Sequence, residues 1–438
     1  MWYAFIDAQR RLTRAFAGAL LAESGGSAPS RSHWFTPENA TDAFSQWLLR
    51  SACAFEQPPP FAIGPVAGDG RWIAVEESVV ASLPAGALRR FRRNLTTPCA
   101  DPKLPVLLCA PLAGHHAVML RETVETLLEE RDVFLTDWAD ARDVPREAGP
   151  LSLDDYVLAV EHFAGAACAL GSPVHAVAIC QAAVPALAAA ALSAAAQPRP
   201  IASVSLLGGP IDTRLNPTVM NRFANTHTLD WFRDHAIDIV PPPCRGAGRR
   251  VYPGFVQQAA LLAVHPERHL HLESDYWSCW FAGDMAGAAR ALRSLNEYAA
   301  VLDMAECYFL DIVRVVFQDH LLPRNLWSVA GRHVDSAALR DMPLCTIEGD
   351  CDDITGAQQC HCAHALCGAA RPASTRIRRR LTVTQCNHYE LFTGPRWRDA
   401  VFPALRAFWS EAEDIASNGR DERGTTTLAG VSGSRSAA

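Results

Sequence analysis

Between residues 105 and 211, short apolar runs of strand character alternate with longer helical stretches, which leaves few folds open to the chain. The strand candidates are 105–110, 133–137, Val174–Ile179 and Ile201–Leu207, and the helices between them span 118–130, 153–170 and 181–196. This rhythm predicts an α/β fold, a mostly parallel sheet with helices on both faces. It stops near Asp212, then resumes with strands at 344–348 and 376–383 and a closing helix at 396–412. The stretch 212–340 is far longer than an ordinary connection and reads as an inserted cap subdomain. It holds 14 of the chain's 36 aromatic residues, among them Trp231, Phe232, Tyr252, Phe255, Trp277, Trp280 and Phe281. Such a set suits either an apolar binding cleft or the cap's own core.

The resulting plan is an N-terminal extension over 1–104, a first core part over 105–211 and the cap over 212–340. A second core part follows over 341–412, then a Gly/Ser/Thr-rich tail over 413–438 that is expected to be disordered. Hydrophobic residues at 49% and charged residues at 20% fit a folded globular chain. A net charge of −7 excludes a generally basic nucleic-acid binder. Near the N-terminus, Asp7, Arg10, Arg11 and Arg14 interleave with Trp2, Phe5, Ile6, Leu12, Phe16 and Leu20. That is the pattern of an amphipathic helix, where a secretory signal has an unbroken apolar segment. The longest apolar run, 182–196, is alanine-rich and contains Pro185, so a buried helix is expected and not a transmembrane segment.

Fourteen cysteines are scattered along the chain, several in apolar surroundings where a thiol packs as a small hydrophobe. A reducing, cytoplasmic setting is the economical expectation. Cys360, His361, Cys362, His364 and Cys367 crowd into eight residues with no second pair at finger-like spacing. Buried thiols on a helical segment are expected there, with no metal site and no cofactor.

One of the fourteen stands apart. The run Val174–Ile179 ends on Cys180, with Ala178 two residues before, Ala182 two after, and a helix following. A tight strand-to-helix turn of this kind needs small neighbours and lifts a nucleophile above the sheet edge. The helix N-terminus would also favour a thiolate. Two later strands lead into loops carrying Asp350, Asp352 and Asp353, and then Asn387-His388-Tyr389. Nucleophile, acid and histidine in that order suit acyl transfer, with His388 as base; spacing alone leaves the three acids open. In the loop after the first core strand, the backbone of Leu112 or Ala113, with that of Gln181, can form an oxyanion hole. His115 and His116 beside it are either substrate contacts or an exposed polar pair.

These segments together resemble a known family. Ala110-Pro111-Leu112-Ala113-Gly114-His115-His116, Thr136-Asp137-Trp138, Cys180-Gln181, Gly208-Gly209-Pro210-Ile211-Asp212, Arg249-Arg250-Val251-Tyr252-Pro253-Gly254-Phe255, Asp352-Asp353-Ile354, His388-Tyr389 and Arg396-Trp397-Arg398 look like the intracellular poly(3-hydroxybutyrate) depolymerases. The resemblance runs to about residue 410. It implies an α/β-hydrolase fold and an esterase acting on amorphous short-chain polyhydroxyalkanoate at the surface of cytoplasmic storage granules. It places the nucleophile on Cys180, the acid on Asp352 and the base on His388. Tyr252 and Phe255, in the aromatic cap, are candidate substrate contacts. The expected partner is the granule with its associated proteins, and a homo-oligomer is compatible. Ala182, Asn387 and Glu390 depart from the family's usual proline after Cys-Gln and glycines around His-Tyr. Two rivals follow from the same chemistry. One is a polyhydroxyalkanoate synthase or CoA-dependent thiolytic acyltransferase; the other is a non-catalytic granule-surface protein.

Overall fold

The computed structural model describes residues 2–23, 37–52, 57–68, 70–95, 103–264, 266–368 and 377–428. Its centre is an eight-stranded sheet of β1 (Val75–Leu83), β2 (Gly86–Arg93), β3 (Val106–Cys109), β4 (Val133–Trp138), β5 (Val174–Ile179), β6 (Ile201–Leu207), β7 (Leu344–Gly349) and β8 (Arg378–Val383). The strands lie in the order β1-β2-β4-β3-β5-β6-β7-β8. β1, β2 and β4 pair antiparallel, and every pairing from β4 through β3 to β8 is parallel. That order, with one antiparallel edge, is the α/β-hydrolase fold. In the middle, β3 and β5 are buried at every position, as strands covered on both faces must be.

The sheet therefore begins inside the stretch read as an N-terminal extension. β1 is the edge strand and most of its side chains are exposed, so no alternating apolar face announces it. Cross-strand charge pairs hold it instead: Glu77 with Arg89 at 2.8 Å, and Glu76 with Arg92 at 2.5 Å.

Before β1, helix α1 (Trp2–Glu23) forms where amphipathic spacing predicts one. It buries Tyr3, Asp7 and Arg10 and leaves Trp2, Phe5, Leu12 and Phe16 exposed. The buried side satisfies a polar cluster: the Tyr3 hydroxyl donates to Asp303, Asp303 Oδ1 accepts from Gly254 N at 2.9 Å, and Arg10 lies over the Phe255 ring. Buried hydrogen-bonded groups outweigh the apolar face here.

Helix α2 (Leu153–Ala169) opens with a reciprocal capping box between Ser152 and Asp155. Helix α3 (Ala183–Leu192) follows β5, and its alanines are buried.

Between β6 and β7 the chain builds a mostly helical insertion that includes α4 (Glu267–Phe281) and α5 (Met285–Ala299), with a small antiparallel sheet of Asp238–Ile239, Arg250–Tyr252 and Met304–Ala305. Much of its aromatic content is its own core. Tyr276, Trp280 and Tyr298 cluster with Leu272 and Leu295, and Phe232 packs with Leu310 and Val313.

The closing helix α6 (Phe402–Leu428) continues past the point where a disordered tail was expected. Glu413 explains the difference: its carboxylate pairs with both terminal nitrogens of buried Arg131, at 2.7 and 3.0 Å, and accepts from Leu104 N at 2.8 Å. The rest of that tail, 429–438, lies outside the described residues. Among the described residues no helix is long and apolar enough to cross a membrane.

Candidate active site

β5 leaves the sheet at Ile179 in an extended conformation, and Cys180 follows with φ of +54°. A non-glycine residue in the left-handed region costs on the order of 1–3 kcal/mol and persists only where the surroundings impose it. This is the nucleophile-elbow geometry: the side chain stands clear of the sheet edge at the start of a helix. Ala178 and Ala182 are buried on either side, so the small residues read from the sequence are the ones the turn requires. The Gly208-Gly209 pair after β6 completes the packing. A Cβ on Gly209 would come within 2.3 Å of the Ala183 Cβ, and one on Gly208 within 3.1 Å of the His388 ring.

The three candidate acids separate by their contacts. Asp350 stays at the surface and accepts from Cys386 N at 3.2 Å, and Asp353 is exposed. Asp352 turns inward. Its Oδ1 accepts from Ile354 N at 3.0 Å and Thr355 N at 2.8 Å, leaving Oδ2 at 2.7 Å from His388 Nδ1. The two loops meet because Gly349 lets the Cys386 carbonyl come close, and Cys351 N donates to that carbonyl at 3.1 Å. Cys180 lies close enough to His388 to act on its charge. Burial by itself would lower the His388 pKa. The Asp352 carboxylate, and then Cys180, more than reverse this and hold it well above 6.5. The structure thus brings Cys180 together with the hydrogen-bonded His388–Asp352 pair.

Gln181 begins the turn of helix after Cys180, where backbone N–H groups lack intrahelical partners. Its side chain is fixed by the Tyr308 hydroxyl, which donates to Oε1 at 2.8 Å. Opposite, the loop with Leu112 and Ala113 is held in shape: Gln257 donates to the Ala113 carbonyl, and Gly114, with φ of +83°, leaves room for the Gln257 amide.

His115 and His116 are not the exposed pair that the sequence left open. His115 is buried and stacks on Tyr298 at 5.0 Å, and burial brings its pKa down to about 4. His116, lowered to about 4 mainly by burial, lines a small polar cavity with Arg10, Asp140, Arg142 and Asp303. Tyr252 packs on Phe309 at 4.4 Å, and Phe255 on Tyr3 at 5.5 Å. Both aromatic residues are engaged by the cap and α1.

Over residues 208–413 the chain matches the family model described as PHB de-polymerase C-terminus. Over that stretch, just under half of its length, the chain is similar to the PHB depolymerase family. It is accordingly a carboxylic ester hydrolase. No curated protein matches the chain. Three solved structures illustrate what it is similar to. A putative lipase from Acinetobacter baumannii AYE is 13% identical, covering 77% of this chain and 93% of its own, with a TM-score of 0.41. A 2-hydroxy-6-oxo-6-phenylhexa-2,4-dienoate hydrolase from Rhodococcus sp. strain RHA1 is 13% identical, covering 77% and 99%, at 0.39. The naproxen esterase of Bacillus subtilis is 12% identical, covering 77% and 92%, at 0.37.

Two tyrosines near Cys180 had no assigned role from the sequence. Tyr389 follows His388 and packs edge-on against Tyr298, with ring centres 6.2 Å apart; it and Tyr308 both interact electrostatically with Cys180. Burial foremost holds the Tyr308 and Tyr389 hydroxyls well above 10, so both stay protonated donors at neutral pH. The His-Tyr pair signalled Tyr389; Tyr308 was hidden in the cap's aromatic count. The Cys360–Cys367 cluster is engaged elsewhere. Cys360 Sγ donates to Leu206 O at 3.4 Å, the amides of Cys360 and His361 donate to Glu348 at 2.8 Å each, and His361 and His364 share Thr346.

Proposed function

We propose that the protein hydrolyses ester bonds of amorphous, short-chain polyhydroxyalkanoate, poly(3-hydroxybutyrate) above all, at storage granules, with Cys180, His388 and Asp352 as nucleophile, base and acid. The observation that carries this reading is the left-handed Cys180, close to a histidine that Asp352 holds at 2.7 Å, in a chain that matches the depolymerase family model over residues 208–413.

Cys180 attacks the ester carbonyl carbon. The backbone N–H of Gln181, with that of Leu112 or Ala113, stabilises the oxyanion. Collapse releases the alcohol half of the chain, protonated by His388, and leaves a thioester on Cys180. The raised pKa of His388 suits the first half-reaction, because an imidazolium is the natural partner of a thiolate. Acylation then removes the sulfur's negative charge, and with it one of the effects that hold the proton on His388. The imidazole is freed to activate water for hydrolysis of the thioester.

A water-insoluble polymer as substrate is supported by the apolar surface. Trp2, Phe5, Leu12 and Phe16 on α1 are all exposed, Trp2 by 75%. Phe44 and Trp47 on the helix Pro37–Ser51, also exposed, stack at 5.8 Å. Apolar groups displayed in this number mark contact with a hydrophobic phase. The deciding assay is 3-hydroxybutyrate release from native granules by the wild type and by Cys180→Ala. Release that persists unchanged in the variant rules out the proposed nucleophile.

A further inference from the structure

A cleft of about 470 Å³ opens where α4 and α5 of the cap meet the core segments around Met119 and Thr393. Its charges are unevenly paired. Arg121 is engaged by Glu125 at 2.6 Å and by Glu297, and Arg398 by Glu122 at 3.2 Å. Arg268, Arg290 and Arg293 also line the cleft, yet no salt bridge engages them among the described residues. The buried Nε of Arg268 has no hydrogen-bond partner. Five arginines against three glutamates line this concavity, with Glu297 acting on Arg293 as well, and the surplus positive charge suits an anion.

Two tyrosines join the cleft to the triad. Tyr298 lines the cleft and packs edge-on against Tyr389, with ring centres 6.2 Å apart. Tyr389 lies beneath the Arg268 guanidinium, 5.5 Å from ring centre to Cζ, and its ring centre is 5.9 Å from that of His388. An anion held by the arginines therefore sits one pair of aromatic rings away from the nucleophile.

We propose that this cleft binds the free carboxylate end of a hydroxyalkanoate chain, on the leaving-group side of the scissile ester. The inference rests on the ester-hydrolysing reading above. As Cys180 Sγ bonds to the carbonyl carbon, the carbonyl C–O bond to the terminal unit breaks, and the proton held between Cys180 and His388 passes to the departing alkoxide. The acyl half, which carries the hydroxyl terminus, remains on sulfur as a thioester. The alcohol half departs, and it alone carries the terminal carboxylate. Binding that carboxylate makes the enzyme work inward from carboxyl ends.

The test uses the full-length protein with a soluble 3-hydroxybutyrate trimer, presented as the free acid and as its methyl ester. The wild type is expected to favour the free acid by about tenfold in kcat/KM, the scale of one charge-assisted hydrogen bond. Raised ionic strength should shrink the preference, since exposed charges are screened. In Arg268→Gln/Arg290→Gln/Arg293→Gln the ratio should fall towards one, and Arg268→Lys, which keeps the charge, should retain part of it. Equal cleavage of acid and ester by the wild type, or an unchanged ratio in the triple variant, overturns the carboxylate site. Failure to cleave either trimer or 4-nitrophenyl butyrate would instead overturn the hydrolase reading.

Discussion

Asp352 Oδ2 lies 2.7 Å from His388 Nδ1, and the two side chains are only 2% and 5% exposed. With water nearly excluded, the pair acts on the imidazole charge at low local dielectric, and the consequence is a pH dependence with a definite sign. Asp352→Asn removes the largest influence holding the His388 pKa up. The alkaline limb of kcat/KM, where the imidazolium is lost, should move to lower pH, and kcat should fall by about 10² to 10⁴. The same linkage touches stability. A raised histidine pKa stabilises the fold fully below about pH 6.5, the ordinary value, and the contribution disappears as pH rises through the folded pKa. Thermal melts across that range should show the loss in the wild type and a flatter profile in Asp352→Asn.

Cys180 combines the proposed nucleophile with a backbone conformation that L-residues avoid. Cys180→Ala and Cys180→Gly should both lose at least about 10³ in kcat. Only the glycine variant relieves the left-handed φ, so it should be more stable than the alanine variant by about 1 kcal/mol, read from denaturant midpoints. Equal midpoints would show that the turn stores no strain.

Gly208 faces the base. Its φ is +55°, and a Cβ there would stand 3.1 Å from His388 Cε1 and 2.9 Å from Leu391 Cδ1. Gly208→Ala should cost about 1 kcal/mol through backbone conformation alone. It should also lower kcat by about tenfold or more, because displacing the imidazole misaligns it with Cys180. Circular dichroism would separate that effect from unfolding.

The Arg131–Glu413 pair fastens α6 to the edge of the core between β3 and β4, with Arg131 also lying over the Trp409 ring at 5.3 Å. Burial opposes ionisation of Glu413, but hydrogen bonds from His175 and Arg131 and the charge of Arg131 hold its pKa far below the ordinary 4.5. A depressed carboxylate stabilises the fold above about pH 4.5, and that contribution is lost as pH falls towards the folded value. Glu413→Gln should destabilise the protein by about 2–4 kcal/mol at neutral pH and blunt its acid sensitivity. Melts at neutral and acid pH check both.

The sheet from β3 to β7 was legible because each strand is a buried apolar run, and so was the elbow, because small residues flank Cys180 at a strand end. β1 was not, since an exposed edge strand held by cross-strand charges carries no apolar period, and the arginines of β2 mask its buried Leu88 and Phe91. Which face of α1 turns inward is likewise not legible in the sequence. Spacing places Trp2, Phe5, Leu12 and Phe16 together, but whether that face turns inward depends on Asp303, which lies three hundred residues away from Tyr3.

By itself, the sequence determined the order of Cys180, the aspartate loop and His388 and the strand ends that present them, because periodicity and small-residue spacing are local properties of the chain. Tertiary structure alone decided which of three neighbouring aspartates meets His388, that His115 stacks on Tyr298, and that Tyr308 and Tyr389 lie near Cys180. Those outcomes depend on side-chain direction and on contacts between distant segments, which no local pattern encodes.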